Sequence, residues 1–283
     1  YFEIAENENI DFDLTRKGAM QIYDNAIDFE RAKLKKHWIE NVGCEWTELS
    51  KDEVFQIEPA LNKEKKVAGG IYTESDASGD IHKYCVDLSR VLSSKYGVKF
   101  RFNEKVKDIN GTSFPIISTD KEDIPFDKVV ICAGVKTQEF RNKFRDNFRI
   151  YPVKGYSITI DLDDEISKSA APHVSIKDDH NKIVSSRLGN RLRVAGTAEL
   201  SGENKEVREE RITPLIEWVN NCFPEVNTEN IITWAGLRPM TSDMVPIMRE
   251  SKRKNVFYNS GHGHLGWTMG AFAGKFISDL IED

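Results

Sequence analysis

The closing stretch of the chain constrains the fold most. Val256 to Asn259 is a short apolar run of strand type, followed by a glycine-rich turn and then a helical pattern. Met269, Phe272, Ala273, Phe276, Ile277 and Leu280 share one face of that helix. Gly261, Gly263 and Gly266 in GHGHLG spell G-x-G-x-x-G, the usual dinucleotide fingerprint. The fingerprint also needs a second strand with an acidic residue about 20 positions further on. The given sequence ends at Asp283, so no complete βαβ unit is built from this turn. Its physics does not depend on the motif. Glycines let a ligand approach the backbone, and free N–H groups at a helix start favour negative charge. The turn is therefore a candidate site for an anion or a polar oxygen, the plain alternative being a connecting loop. His262 and His264 are spaced as metal ligands could be, but no Cys, Asp or Glu partner is near in sequence, so polar contacts and no metal are expected.

Upstream, Ile27, Leu34, Trp38 and Val42 predict an amphipathic helix over 28–42, closed by Gly43. Asp80 is placed to cap a second helix with Ile81, Cys85, Leu88 and Leu92 on one face. Strands are expected at Val98 to Phe102, Lys105 to Ile109 and Lys128 to Cys132, an order that belongs to an α/β sheet. From about 150 to 233 the pattern changes. Ser157 to Asp161, Lys182 to Ser186 and Arg191 to Ala195 look like antiparallel strands. A helix carrying Ile212, Leu215, Ile216, Val219 and Phe223 lies in that region and ends at Pro224.

With 283 residues, 39% of them hydrophobic, the chain has ample material for a large core. Forty basic against 46 acidic residues give a net charge of −6, which argues against a nucleic-acid partner. Cys44, Cys85, Cys132 and Cys222 lie far apart and read as free or buried thiols of a reducing compartment. No apolar run of about 18 residues occurs, which leaves attachment to a membrane surface open. The first residue is Tyr1 rather than Met, so the native N-terminus is expected to lie upstream.

Several blocks carry a resemblance. WAGLRPMTSDMVPIM at Trp234 to Met248, followed by NVFYNSGHGHLGWTMGAFAGKFISDLI, resembles the C-terminal signature of the D-amino-acid oxidase superfamily, and within it most closely the bacterial D-amino-acid dehydrogenases. YPVKGYSITI, VAGTAEL, EPAL and GGIYTESDASGD are similar to the same group, in matching order over nearly the whole chain. The resemblance implies a mixed α/β fold in which a discontinuous FAD-binding domain, 80–148 with 234–283, alternates with an antiparallel-sheet substrate domain, 1–79 with 149–233. Members open with a βαβ nucleotide-binding unit. No counterpart is present here, so truncation, or a split enzyme completed by a partner chain, is expected.

The resemblance also implies an activity, the FAD-dependent oxidative deamination of D-amino acids by hydride transfer to the flavin. Val106 would lie beside the adenine, Ala133 and Gly134 near the pyrophosphate, and Gly261, His262, Gly263, His264, Leu265, Gly266 and Thr268 at the pyrimidine end of the flavin. Val106 could equally be core by its type, and Ala133–Gly134 a strand end without a ligand. Arg238 in GLRP would hold the substrate carboxylate, a task its bidentate fork suits. An arginine beside proline could instead pair with Asp243 or Glu250 at the surface. Tyr156 would line the pocket with its hydroxyl, against the plainer reading of a half-buried strand tyrosine. A glycine- or sarcosine-type amine oxidase and a catalytically silent fragment are the rival readings. A quinone acceptor, a cytoplasmic location or a peripheral one at the inner face of a bacterial membrane, and self-association through an open sheet edge complete the expectations.

Overall fold

The structure, a computed structural model, describes residues 1–282. The chain starts with α1 (Phe2–Glu8), β1 (Ala19–Tyr23), α2 (Ala26–Lys33), α3 (Lys36–Glu40), β2 (Thr47–Leu49), α4 (Lys51–Ile57) and β3 (Gly69–Thr73). A 16-residue helix, α5 (Ile81–Tyr96), leads to β4 (Val106–Asn110), β5 (Ile116–Thr119), β6 (Asp123–Pro125), β7 (Val129–Ile131) and α6 (Thr137–Phe144). Next come β8 (Ile150–Asp161), α7 (Glu165–Ala170), β9 (Ser175–Asp178), β10 (Ile183–Leu188), β11 (Arg191–Glu199) and α8 (Glu209–Cys222). The last elements are β12 (Ile231–Thr241), β13 (Ile247–Glu250), β14 (Val256–Ser260) and α9 (Gly266–Glu282).

Eight strands form one sheet in the order β12-β8-β11-β10-β9-β1-β3-β2, antiparallel except where β1 meets β9. Its inner face carries the main core. Ile158, Ile160, Leu192 and Val194 pack there against Ile212, Leu215, Trp218 and Val219 of α8, whose apolar residues recur at helical spacing. Two three-stranded sheets complete the molecule: β13-β14-β7, with β14 parallel to β7, and the antiparallel β4-β5-β6. The fold is mixed α/β, as the sequence led us to expect.

Several details differ from expectation, each for a physical reason. The helix predicted over 28–42 breaks at Leu34–Lys35 into α2 and α3, because Phe29 and Ala32 face the core with Tyr23 and Ile71. Leu34, Trp38 and Val42 are left exposed. Gly43, at φ 80°, ends the segment as anticipated. Asp80 does cap α5, accepting from the His82 and Lys83 amides. The packed face of α5 is Tyr84, Leu88 and Val91, however, rather than the one running through Cys85, because Tyr84 meets Phe12 and Trp267. Val98 to Phe102 is not a strand. A strand needs a paired neighbour, and among the described residues none lies beside it; Phe100 and Phe102 stack on each other instead. On α9 only Ala273 and Ile277 of the predicted face are buried, and Phe272 and Phe276 remain exposed.

Two packing relationships run across the expected domain division. Position 234 falls inside β12, which pairs with β8 from Ile231 to Thr241 and so belongs to the large sheet. The N-terminal segment leaves that sheet: Tyr1, Ala5, Ile10 and Phe12 pack on Tyr84 of α5 and Trp267 of α9.

Candidate active site

Side chains alternate faces along a strand, so the pairing of β8 with β11 and β12 decides what meets what. Trp234, Gly236 and Arg238 of β12 stand opposite Ser157, Gly155 and Val153 of β8, and Ala195 and Arg193 of β11 stand opposite Ser157 and Thr159. All these positions share the face turned away from α8. There Gly155, Ser157, Arg193, Ala195, Trp234, Gly236, Arg238 and Gly263 line a cleft of about 270 Å³.

Arg238 lies half-buried over Gly155. Its guanidinium donates to the Thr197 carbonyl at 2.8 Å and, more weakly, to the Gly196 carbonyl at 3.5 Å. Those carbonyls are presented by a β-bulge between Gly196 and Glu199, where Thr197 takes a φ of 66°. Among the described residues Arg238 forms no ion pair with a carboxylate. Asp243, the acidic neighbour proposed from sequence, accepts the Val245 amide instead, and Glu250 accepts that of Asn255. Burial pulls the Arg238 pKa down, and it also lowers that of Arg193, where the charge of Asp80 opposes it only in part; the Arg193 guanidinium lies 5.5 Å over the Trp234 ring. The Ser157 hydroxyl, fully buried in the cleft floor, has no hydrogen-bond partner among the described residues.

The glycine-rich turn docks at the Arg238 end of this cleft. Gly263 N–H donates to the Pro239 carbonyl at 3.0 Å, and His262 bridges Met240. Gly261 and Gly263 adopt φ of 79° and 57°, and a β carbon at Gly263 would meet the Met240 sulfur at 2.6 Å. His262 is half-buried, its Nε2 unpartnered and its pKa lowered by burial. His264, Leu265, Gly266 and Thr268 are exposed at the start of α9. Ala133 and Gly134 follow β7, and the Ser260 hydroxyl donates to the Gly134 carbonyl at 3.2 Å, which sets this strand end beside the turn. Space around Gly134 is open. Val106 stands apart on the small β4 sheet with its side chain exposed rather than in a core. Among the described residues no group of three or more His, Cys, Asp or Glu could hold a metal.

Tyr156 borders the cleft between Gly155 and Ser157. Its neighbours Gly155 and Ser157 face the cleft, so alternation turns its ring to the other side, where it is 1% exposed in the main core. The hydroxyl donates to Glu199 at 2.7 Å, and Lys154 reaches the same carboxylate at 3.1 Å.

The family profile described as FAD dependent oxidoreductase matches residues 1–280. The chain belongs to this family. Among curated members of the FAD-dependent oxidoreductases, "D-amino acid dehydrogenase 3" of Mesorhizobium japonicum is 44% identical over 99% of this chain and 68% of its own length. A "D-amino acid dehydrogenase" of Neisseria gonorrhoeae is 34% identical over 97% of this chain and 65% of its own. The chain thus spans about two thirds of these relatives. Glycine oxidase from Geobacillus kaustophilus superposes with a TM-score of 0.89 at 22% identity, over 99% of this chain and 75% of that one. L-proline dehydrogenase from P. horikoshii gives 0.86 at 16%, over 99% and 75%. These two establish the shared fold.

Arg193, Trp234, Ser157 and the glycines beneath them escape a reading of the sequence. Trp234 and Gly236 do alternate with Arg238 along one strand, but Arg193 and Ser157 join them only through strand pairing.

Proposed function

We propose that the chain belongs to a dehydrogenase that oxidatively deaminates D-amino acids, with Arg238 holding the substrate carboxylate. One observation carries the reading: a half-buried guanidinium, bonded only to carbonyls, lines a cleft that contains no carboxylate. A bound carboxylate would satisfy its remaining donors as a bidentate pair. The curated relatives named above support D-amino acids as the substrate class.

The residues present suit the flavin of the family. The unpartnered His262 Nε2, the glycine backbone of 261–266 at the start of α9, and the open space at Gly134 offer donors and close approach to an anionic cofactor. Ala133 is placed with them, and Val106 is assigned more distantly to the adenine side. When bound, the flavin supplies the two-electron acceptor for hydride from the substrate's α carbon. This chain orients the carboxylate through Arg238, holds the α carbon at the mouth of the turn, and favours negative charge there through the helix start. No general base is required of it.

We assign the electrons onward to a quinone. The exposed Leu34, Trp38 and Val42 beside Lys33, Lys35 and Lys36 suit contact with a membrane surface, and no helix among the described residues is long and apolar enough to cross one. The outer edge of β7 has no strand beside it among the described residues, which supports self-association.

The test is the visible absorbance of the protein after addition of FAD and gel filtration. Flavin bands retained, then bleached by D-alanine and not by L-alanine, are the expected result. Bleaching by glycine or sarcosine alone would move the assignment to amine oxidation, and a protein that stays colourless would make this chain a part that needs a partner.

A further inference from the structure

The carboxylate reading explains one arginine of the cleft and leaves a second unexplained. Arg193 lines the same cavity, pairs with no carboxylate and makes no hydrogen bond among the described residues; its contact is the Trp234 ring. Asp80, whose charge does reach Arg193, is already bound to Arg191 at 2.7 Å. A half-desolvated cation with no anion bonded to it directly is costly unless one arrives to meet it.

The register places the two cations in order. Along the cleft face of β8, Gly155 lies beneath the Arg238 guanidinium, Ser157 comes next, and Thr159 is the partner of Arg193. Gly155 and Thr159 are two same-face steps apart, about 13 Å at the backbone. Arg193 leans back over Trp234, the partner of Ser157, which shortens the gap between the charges. Between them lies the Ser157 hydroxyl, buried and unpartnered. The glycine turn touches β12 at Pro239 and Met240, beside Arg238 and at the far end of the strand pairing from Arg193.

We propose that the cleft takes a dicarboxylic amino acid, the α-carboxylate on Arg238 and the side-chain carboxylate on Arg193, with Ser157 hydrogen-bonding the substrate between them. This rests on the function proposed above and names its substrate class. Trp234 holds the Arg193 guanidinium by stacking and forms the wall along which the substrate's methylene groups lie.

The test separates binding from turnover. Glutarate and butyrate lack an amino group and cannot be deaminated, so calorimetric titration of the full chain with added FAD reads the second carboxylate alone. Glutarate is expected to bind about 10- to 100-fold more tightly than butyrate, the worth of one charge-assisted pair. Arg193→Gln should collapse that ratio toward one, and Arg193→Lys should keep part of it. Turnover should follow, with kcat/KM for D-glutamate or D-aspartate above that for D-alanine by a similar factor. Equal binding of the two acids, or an Arg193→Gln variant that weakens both alike, overturns the proposal. If D-alanine bleaches the flavin yet the ratio is near one, only this inference fails. A glutarate preference without bleaching by any D-amino acid would instead sink the D-amino-acid reading and leave the dicarboxylate cleft standing.

Discussion

Gly155 and Gly236 face each other across β8 and β12, and each leaves the space that a neighbouring side chain occupies. A β carbon at Gly155 would collide with the Arg238 guanidinium, and one at Gly236 with the Trp234 indole. The glycine pair is the floor on which these two groups lie side by side. Neither glycine needs a left-handed backbone, so its role is space alone.

Gly155→Ala should therefore act on binding rather than on folding. The methyl displaces Arg238 from the Thr197 carbonyl, and carboxylate affinity falls about ten-fold or more, as for loss of a charge-assisted pair. Alanine suits a strand slightly better than glycine, so thermal unfolding should show little loss. A binding titration beside a melting curve checks this; a variant that melts early and binds normally would contradict it.

Arg238→Lys should recover little of what Arg238→Ala loses. The ammonium is a point donor and cannot give two parallel hydrogen bonds to a carboxylate while keeping the Thr197 contact. Loss of about 1.5 to 3 kcal/mol predicts a fall of roughly 10- to 150-fold in kcat/KM for carboxylate substrates. Steady-state kinetics on a D-amino acid and on its amide, which lacks the carboxylate charge, should show the deficit only for the acid.

Acid stability depends on the buried group behind the cleft. The Tyr156 hydrogen bond, aided by Lys154, Ser201 and Arg208 and opposed by burial, holds the Glu199 carboxyl at about 2, against an ordinary value of 4.5. A depressed carboxylate stabilises the folded state fully above its unfolded pKa. That contribution is lost as pH falls from about 4.5 toward 2. Urea unfolding across this window should show the decline, and Glu199→Gln should flatten it. Tyr156→Phe should lower the melting temperature, by about 2–4 °C for each kcal/mol lost, while leaving the glutarate-to-butyrate ratio in place.

The thiols should divide into two classes. Cys222, the last residue of α8, is fully buried, and burial pushes its pKa up to about 12. Cys44, Cys85 and Cys132 are exposed, the latter two with pKa values raised by desolvation. In native protein at pH 8 a thiol reagent should titrate no more than those three, Cys44 fastest, and reach Cys222 only after denaturant is added. Modification of Cys222 at the native rate of the others would contradict this placement.

Local chemistry was legible from the start. Asp80 capping α5, Gly43 closing its helical segment, the apolar stripe of α8 and the strand–turn–helix at 256–282 each depend on neighbours a few positions away, and each is found where the sequence puts it. Arg238 was singled out by the run of matched blocks around it, and the structure places it in the cleft. Pairing was not legible. A strand pattern states that one face is apolar but not which strand lies beside it, so Tyr156 was read toward the cleft when alternation turns it to Glu199. Nor does an amphipathic stripe say which face finds a partner: the Leu34–Trp38–Val42 face remained in solvent because Phe29 and Ala32 met the sheet first. The sequence by itself determined the helix caps and the apolar stripe of α8, since these follow from interactions within a turn or two of the chain. Tertiary structure alone decided that Arg193, from a strand 45 residues before Arg238 in the sequence, shares its cleft. That meeting depends on β8 standing between β11 and β12, a long-range contact with no local signal.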